Sequence, residues 1–422
     1  MTHKKLFAAC ISVAGAVCAE TSFSDVLADA FKQGTVATNF RLRYEDVKQD
    51  GLTNDQEDAL TLRSRIAYAT APFKGLSGTV EVDDITTLMD IDYRTAPNDT
   101  NNAGSPVIAD PEGTEVNQVY LDYTPRADNA IRWGRQRVVL DNERFIGPVG
   151  FRLNEQTFDG LVYINKSLPK TTMTLGYLRN VNRIFGEDNA VGDVEMKTKI
   201  FNANYAGLPF GAVSAYAYQL ENDDSNTAFD LWSTNTYGVR FAGGVGAVNK
   251  LTYTVEYAKQ SDTADNTNSY DADYNLLEAG FSRGIFSAGL GYEKLGADGS
   301  DGFFITPLAT LHKFQGWTDK FLGSGGIGNI STGIIDEYVT AGVLVQGVKI
   351  GANYHQYQPD EETAAIEDLG DEVGVFVSQE AILGAYMWEL KYADYSAGDT
   401  TTAGDTVFSD TKKIWLTLGA KF

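Results

Sequence analysis

Apolar and polar residues alternate along almost the whole chain. In the last eleven residues, Ile414, Leu416, Leu418, Ala420 and Phe422 share one parity, while Lys413, Trp415, Thr417, Gly419 and Lys421 share the other. A β-strand sends successive side chains to opposite faces, so this segment predicts a strand with one apolar and one mostly polar face. The pattern recurs. Val36, Phe40, Leu42 and Tyr44 alternate with Asn39, Arg41, Arg43 and Glu45, and Leu60, Leu62, Ile66 and Tyr68 return opposite Arg63 and Arg65. Leu251 to Tyr257, Phe286 to Glu293 and Tyr386 to Tyr392 repeat it. Runs of about ten residues are separated in rotation by a tight turn and a long polar loop, which is the rhythm of an up-and-down transmembrane β-barrel. The count is about eighteen strands, or sixteen if the weaker runs near Met196 and Asp371 do not form.

Pro and Gly place the tight turns near Ala71–Gly75, Pro125–Asn129, Ser167–Lys170, Gly207–Gly211, Gly243–Val248, Arg283-Gly284, Gln346-Gly347 and Gln379–Ile382. Acidic segments form the long loops, among them 46–58, 83–115, 187–195 and 360–372. Tyrosines near strand ends, such as Tyr44, Tyr68, Tyr123 and Tyr257, predict aromatic girdles at the two membrane interfaces. No linker interrupts the pattern, so residues 34–422 read as one barrel. In residues 20–33, Phe23, Val26, Leu27, Ala30 and Phe31 recur at helical spacing, which predicts a short amphipathic helix at the periplasmic end.

The N-terminus fits export. Lys4 and Lys5 precede an apolar run from Leu6 to Val17, too short to span a bilayer as a helix, and Val17-Cys18-Ala19 supplies small residues at a cleavage spacing. Residues 1–19 therefore read as a signal peptide. Both cysteines, Cys10 and Cys18, lie inside it. The mature chain then has no thiol nucleophile, Cys-ligated metal or disulfide. Losing Lys4 and Lys5 takes the formal charge from -23 to -25, which argues against a nucleic-acid partner.

Arginine is unevenly placed: 13 of 15 lie between Arg41 and Arg183. Arg41, Arg43, Arg63 and Arg65 alternate with apolar residues on adjacent strands and must face the lumen, because arginine on the lipid face costs about 2–4 kcal/mol at mid-membrane. Arg132 follows the same parity rule, and Arg144 and Arg152 lie in the loop 138–156. With Glu81 and Asp83 as counter-charges, these residues are the expected pore lining. They leave two readings open, a wall that selects anions or a set of mutually paired charges that only holds the wall. A second loop, Thr306 to Leu322, carries Leu308, Leu311, Phe314, Trp317 and Phe321 around His312 and Lys313, and reads as a loop folded over or into the pore mouth.

Other constellations are weak. Asp46, Asp50, Gly51 and Glu57 match parts of a twelve-residue calcium loop, but Lys48 takes a ligand position. His312 and His355 are far apart in sequence, and no GxSxG or HExxH motif is present. No catalytic residue, cofactor or metal is expected.

The run GRQRVVLDNERFIGPVGFRLNEQTFDG (Gly134 to Gly160) resembles the third-loop region of alginate-export-type outer-membrane porins, as does TPLATLHKFQGWTDKFL (Thr306 to Leu322). FRLRYEDVKQDG (Phe40 to Gly51) and ADPEGTEVNQVYLDY (Ala109 to Tyr123) are also similar. The resemblance implies a large barrel with a positively charged constriction that passes acidic polysaccharide. The expected function is an outer-membrane porin for small polar or anionic solutes. The alternatives are an export channel for an acidic polysaccharide and an outer-membrane enzyme. The expected partners are outer-membrane lipid, lipopolysaccharide, the barrel-assembly machinery and the permeating solute.

Overall fold

A computed structural model describes residues 21–89, 92–100, 102–264, 266–323, 325–363, 365–398 and 409–422. The expected signal peptide, 1–19, lies outside the described residues. Eighteen strands form one closed antiparallel sheet. In chain order, β1 to β18, they are Thr35–Gln49, Gln56–Ala69, Leu76–Thr87, Gly113–Arg126, Asn129–Gln136, Thr157–Asn165, Thr171–Asn182, Asp193–Leu208, Gly211–Leu220, Thr234–Val245, Asn249–Asp262, Asp271–Arg283, Phe286–Leu295, Ile334–Val345, Val348–Gln358, Gly370–Ile382, Tyr386–Ser396 and Thr411–Lys421. Each pairs with its sequence neighbours, and β1 closes on β18, with Arg41 opposite Gly419 and Arg43 opposite Thr417. Thr38 and Phe422 exchange both backbone hydrogen bonds at the seam, 2.8 and 2.9 Å. The weak runs at Met196 and Asp371 are strands β8 and β16, so the count is eighteen.

Closure removes sheet edges, and alternation then sets the solvent on each face. Ile414, Leu416 and Leu418 of β18 point outward with Leu277, Leu290, Val339, Ile350 and Leu390, while Lys413, Trp415 and Thr417 are buried inside. The helix α1, Thr21–Lys32, leads into β1. It is tied to the first tight turn by the Ala71 amide, which donates to the Ala30 carbonyl at 3.0 Å.

Two boundaries differ from the sequence reading. The turn expected at Gln379–Ile382 falls at 383–385, because a register shift between Gln379 and Ile382 carries β16 further before the chain reverses. The first acidic loop is also shorter than expected. Asp46 and Glu57 belong to β1 and β2, where Asp46 pairs with Asp58 and Val47 with Glu57. The residues that suggested a calcium loop therefore sit in a hairpin.

Among the described residues, two long loops fold into the lumen, and Asp110, from the segment that joins β3 to β4, reaches in beside them. One, residues 137–156, joins β5 to β6 and is called L3 below. The other, residues 296–333, joins β13 to β14. Their apolar residues meet the wall inside the barrel: Val138, Leu140 and Ile146 of L3 and Phe304, Leu308, Phe321 and Ile327 of the longer loop pack with Phe158, Leu178, Tyr216 and Tyr274. Phe145 lies 5.2 Å from Tyr216 and 5.3 Å from Tyr274, centroid to centroid. The aromatic content of 306–322 is thus the core that holds the loop in place. The interior is uneven: the larger apolar core lies mostly against β6–β16, where Glu256, Glu293, Asp336 and Glu372 are also buried, and the arginine cluster lies against β1–β5.

Candidate functional site

The charged side is built by register. Arg41 stands opposite Arg63 across β1 and β2, and Arg65 stands opposite Asp83 on β3. Directly opposed like charges destabilise a sheet, so Arg41 and Arg63 need partners from elsewhere. L3 supplies them. Arg41 Nη1 donates to the carbonyls of Gly150 and Phe151 at 2.9 and 3.2 Å. Arg43 Nη1 donates to Phe151 O at 2.7 Å, and Arg63 Nη1 to Leu153 O at 3.2 Å. The guanidiniums position the loop, and the loop keeps them apart.

The expected pore-lining residues divide by environment. Arg65 is buried in an acid cage, with Nε on Asp83 at 2.5 Å, Nη1 on Glu155 at 2.9 Å and Glu81 at 3.6 Å. Arg63 is buried beside Asn39 at 2.6 Å and Glu155 at 3.7 Å. Arg137, also from L3, pairs with Glu81 and Glu155. Burial raises the Glu155 carboxyl, but the cations of Arg65 and Arg137 outweigh it and hold it at about 2. Arg152 is buried with Glu45 at 2.8 Å and with Asp110 and Asp319, each at 3.6 Å. Arg43 lies over the Phe151 ring at 4.1 Å and reaches Asp110 at 3.9 Å.

Two of these residues stand apart from the cluster. Arg144, at the far reach of L3, is fully buried and paired with Glu293 of β13 at 2.7 Å, with Thr306 Oγ1 at 3.0 Å. It fixes L3 to the opposite wall. Arg132 forms a two-pronged pair with Asp122, both contacts 2.8 Å, and lies 3.9 Å from the Tyr120 ring, near the β4–β5 turn.

Arg41 differs from the rest. It is only partly buried, and among the described residues no carboxylate lies within 4 Å of it. Among the described residues its Nε and Nη2 find no hydrogen-bond partner, while Nη1 is taken by L3 carbonyls. Among the described residues it is the guanidinium of this cluster without a direct carboxylate partner, set among the like charges of Arg63, Arg43 and Arg65 with Glu155 acting on it from further off.

A second cluster was invisible in the sequence. His312 and Asp319, from the loop 296–333, meet Lys391 of β17 and Lys413 of β18. His312 Nδ1 lies 2.8 Å from Asp319, His312 Nε2 lies 2.9 Å from Lys391 Nζ, and Lys413 donates to Asp319 at 3.2 Å. Phe151 stacks on His312 at 3.6 Å, joining the two lumen loops. Lys391 Nζ sits 4.0 Å from the Trp317 ring and 4.8 Å from Phe151. Burial, helped by the ammonium of Lys391 and the guanidinium of Arg152, brings His312 down to about 3 against the pull of Asp319. The ring is therefore neutral, donating from Nδ1 to the carboxylate and accepting at Nε2 from the ammonium. Strand parity alone points Glu389, Lys391 and Lys413 inward. What the sequence lacked was the loop contact that brings His312 to them.

A closed eighteen-stranded barrel with an apolar exterior and loops folded across a charged lumen defines the outer-membrane porin class. The chain belongs to the alginate export family, whose model matches residues 33–293. A search of curated proteins finds no sequence match. Among solved structures, the fold is similar to three Pseudomonas aeruginosa proteins. OccK9 (OpdG) superposes with a TM-score of 0.70 at 14% identity, over 93% of this chain and 99% of that one. OpdK, solved with vanillate, gives 0.69 at 14% identity over 93% and 99%. OccK3 (OpdO) gives 0.69 at 11% identity over 96% and 99%.

Proposed function

We propose that the mature chain is a diffusion pore of the bacterial outer membrane for small polar and anionic solutes, and that Arg41 carries its charge preference. The supporting observation is the contrast within one cluster: Arg63 and Arg65 of the wall and Arg137 and Arg152 of L3 are matched by carboxylates, and among the described residues Arg41 has none within 4 Å. A solute passing about 6 Å from one unit charge feels about 0.7 kcal/mol in bulk water and about 2.8 kcal/mol at an effective dielectric of 20. Screening over a Debye length of about 8 Å roughly halves this, which leaves about a two- to tenfold bias toward anions. On this reading residues 1–19 are the leader and 34–422 the membrane-embedded unit. Outer-membrane lipid, lipopolysaccharide and the barrel-assembly machinery are its partners, and the chain carries out no chemistry of its own.

The test is a planar-bilayer recording of the reversal potential in a KCl gradient. The wild type is expected to prefer chloride, and Arg41→Gln should lose most of that preference at unchanged folding. A cation-selective wild type that Arg41→Gln leaves unaltered would refute the proposal. The family match supports a second reading, export of an acidic polysaccharide. It predicts that oligouronates enter from the periplasmic side and block the current at micromolar concentration, whereas the small-solute pore predicts no such block.

A further inference from the structure

We infer that the lumen wall at Arg41 selects zwitterions, that is, small α-amino acids and short peptides, with Glu389 of β17 as the second charge. The inference rests on the diffusion-pore reading and names the solute class of the same wall.

Glu389 shares the inward parity of β17 with Lys391 and is only partly buried. Among the described residues no cation lies within 4 Å of its carboxylate, and its oxygens are neither hydrogen-bonded nor sealed from solvent. The other charges nearby are already engaged. Lys391 is held by His312, and Arg43 is held by Phe151 O and by Thr417 Oγ1 at 3.3 Å. Among the described residues, Arg41 and Glu389 are therefore a cation and an anion of this wall with no direct ion-pair partner, although the charges of Lys391 and Arg43 act on Glu389 at longer range.

Register fixes their spacing. Arg41 stands on the rung of Gly419 and Met387, and Glu389 on the next inward rung, with Thr417 and Arg43. Two strand spacings across and two residues along put the two Cα atoms about 12 Å apart. Gly419, between them, has no side chain. A Cβ there would meet Met387 Cγ at 2.8 Å and Sδ at 2.9 Å, so the thioether leans over the gap as an apolar floor. A carboxylate can take the free Nε–Nη2 edge of Arg41, which is a planar fork suited to that group. The ammonium of the same molecule then faces Glu389, and a small apolar side chain rests on Met387. A simple anion gains only the first contact and meets the Glu389 charge.

The test is swelling of proteoliposomes in alanine and in lactamide, which is neutral and of similar size, with the KCl reversal potential measured on the same protein. The wild type should admit alanine at least threefold faster than lactamide. Glu389→Gln should bring that ratio close to one while raising the anion preference, and Glu389→Asp should keep part of it. Heat-modifiable migration verifies folding of each variant. A wild-type ratio of one, or a ratio that Glu389→Gln leaves unchanged, overturns the inference. If chloride preference persists in that case, the diffusion-pore reading stands without it. If chloride preference is absent from the wild type, the earlier proposal fails first.

Discussion

Breaking the Arg144–Glu293 pair should release the far end of L3 and widen the pore. Both side chains are almost completely buried. Arg144→Met keeps most of the side-chain volume but leaves the Glu293 carboxylate, among the described residues, with the Tyr274 hydroxyl at 2.9 Å as its direct partner. Removing one member of a buried ion pair costs about 3–5 kcal/mol, mostly because the other charge is stranded. At 1.4 kcal/mol per tenfold, the docked-to-released balance of the loop end shifts by roughly two to three and a half powers of ten. The near part of L3 keeps its own anchors. Gln156 Nε2 donates to the carbonyls of Gly147 and Leu308, and Arg41, Arg43 and Arg63 still hold residues 150, 151 and 153. The expected result is therefore a folded barrel with higher single-channel conductance and more open-state noise. The pair Arg144→Met with Glu293→Gln should recover much of the docked state, because no charge is left buried. If Arg144→Met conducts like the wild type and the double variant adds nothing, the pair does not hold L3.

Arg65→Ala should impair folding rather than selectivity, because it leaves Asp83 buried without its cation and takes one of the guanidiniums from Glu155, which keeps Arg137. The loss is about 3–5 kcal/mol, read as a lower heat-modification temperature. His312 makes stability fall as the medium is acidified. Its folded value is below the unfolded value of about 6.5, so its contribution is complete above that pH and is lost progressively as pH falls toward about 3. His312→Gln should flatten the fall between pH 6.5 and 4, and a variant with the wild-type slope would disprove this. Deleting Phe422 removes the two backbone bonds to Thr38 and the ring contact with Tyr386 at 5.9 Å. Seam closure should weaken, and normal heat-modifiable assembly of the truncated chain would count against that.

The barrel was legible because its information is local. Alternation identifies each strand and its lipid-facing side, Pro and Gly mark the turns, and parity alone sent Arg41, Arg43, Arg63 and Arg65 inward. What parity cannot report is what a lumen-facing side chain meets. Arg41 and Arg65 have the same sequence signature, yet Arg65 is caged by Asp83, Glu81 and Glu155, while among the described residues Arg41 hydrogen-bonds to backbone carbonyls alone. Part of the difference is register, since Asp83 and Glu81 stand on β3 beside Arg65, and part is L3, which gives Arg65 a carboxylate and Arg41 only carbonyls from more than a hundred residues away. The same holds for Arg144 with Glu293 and for His312 with Lys391, contacts that no local pattern encodes. The misplaced turn at 379–382 has a local cause instead, a register shift that keeps the strand going past the expected stop.

The arginine density of the first strands follows from folding a loop inside a barrel. Every backbone carbonyl of L3 that leaves water must find a donor, and the wall strands have already spent their amides on each other. Side chains are the remaining source. Guanidinium brings five donors on a long stem and stays charged, so it can satisfy a carbonyl and a carboxylate at once. Arg43 and Arg63 do this, each bonded to an L3 carbonyl and within 4 Å of a carboxylate. The carboxylates Glu81, Asp83, Glu155 and Asp110 then follow as the charges that make such burial tolerable. A count of arginines therefore overstates the selectivity of the pore. The charge available to a solute is what the loop leaves over, which on the proposed reading is Arg41, with Glu389 as the second charge.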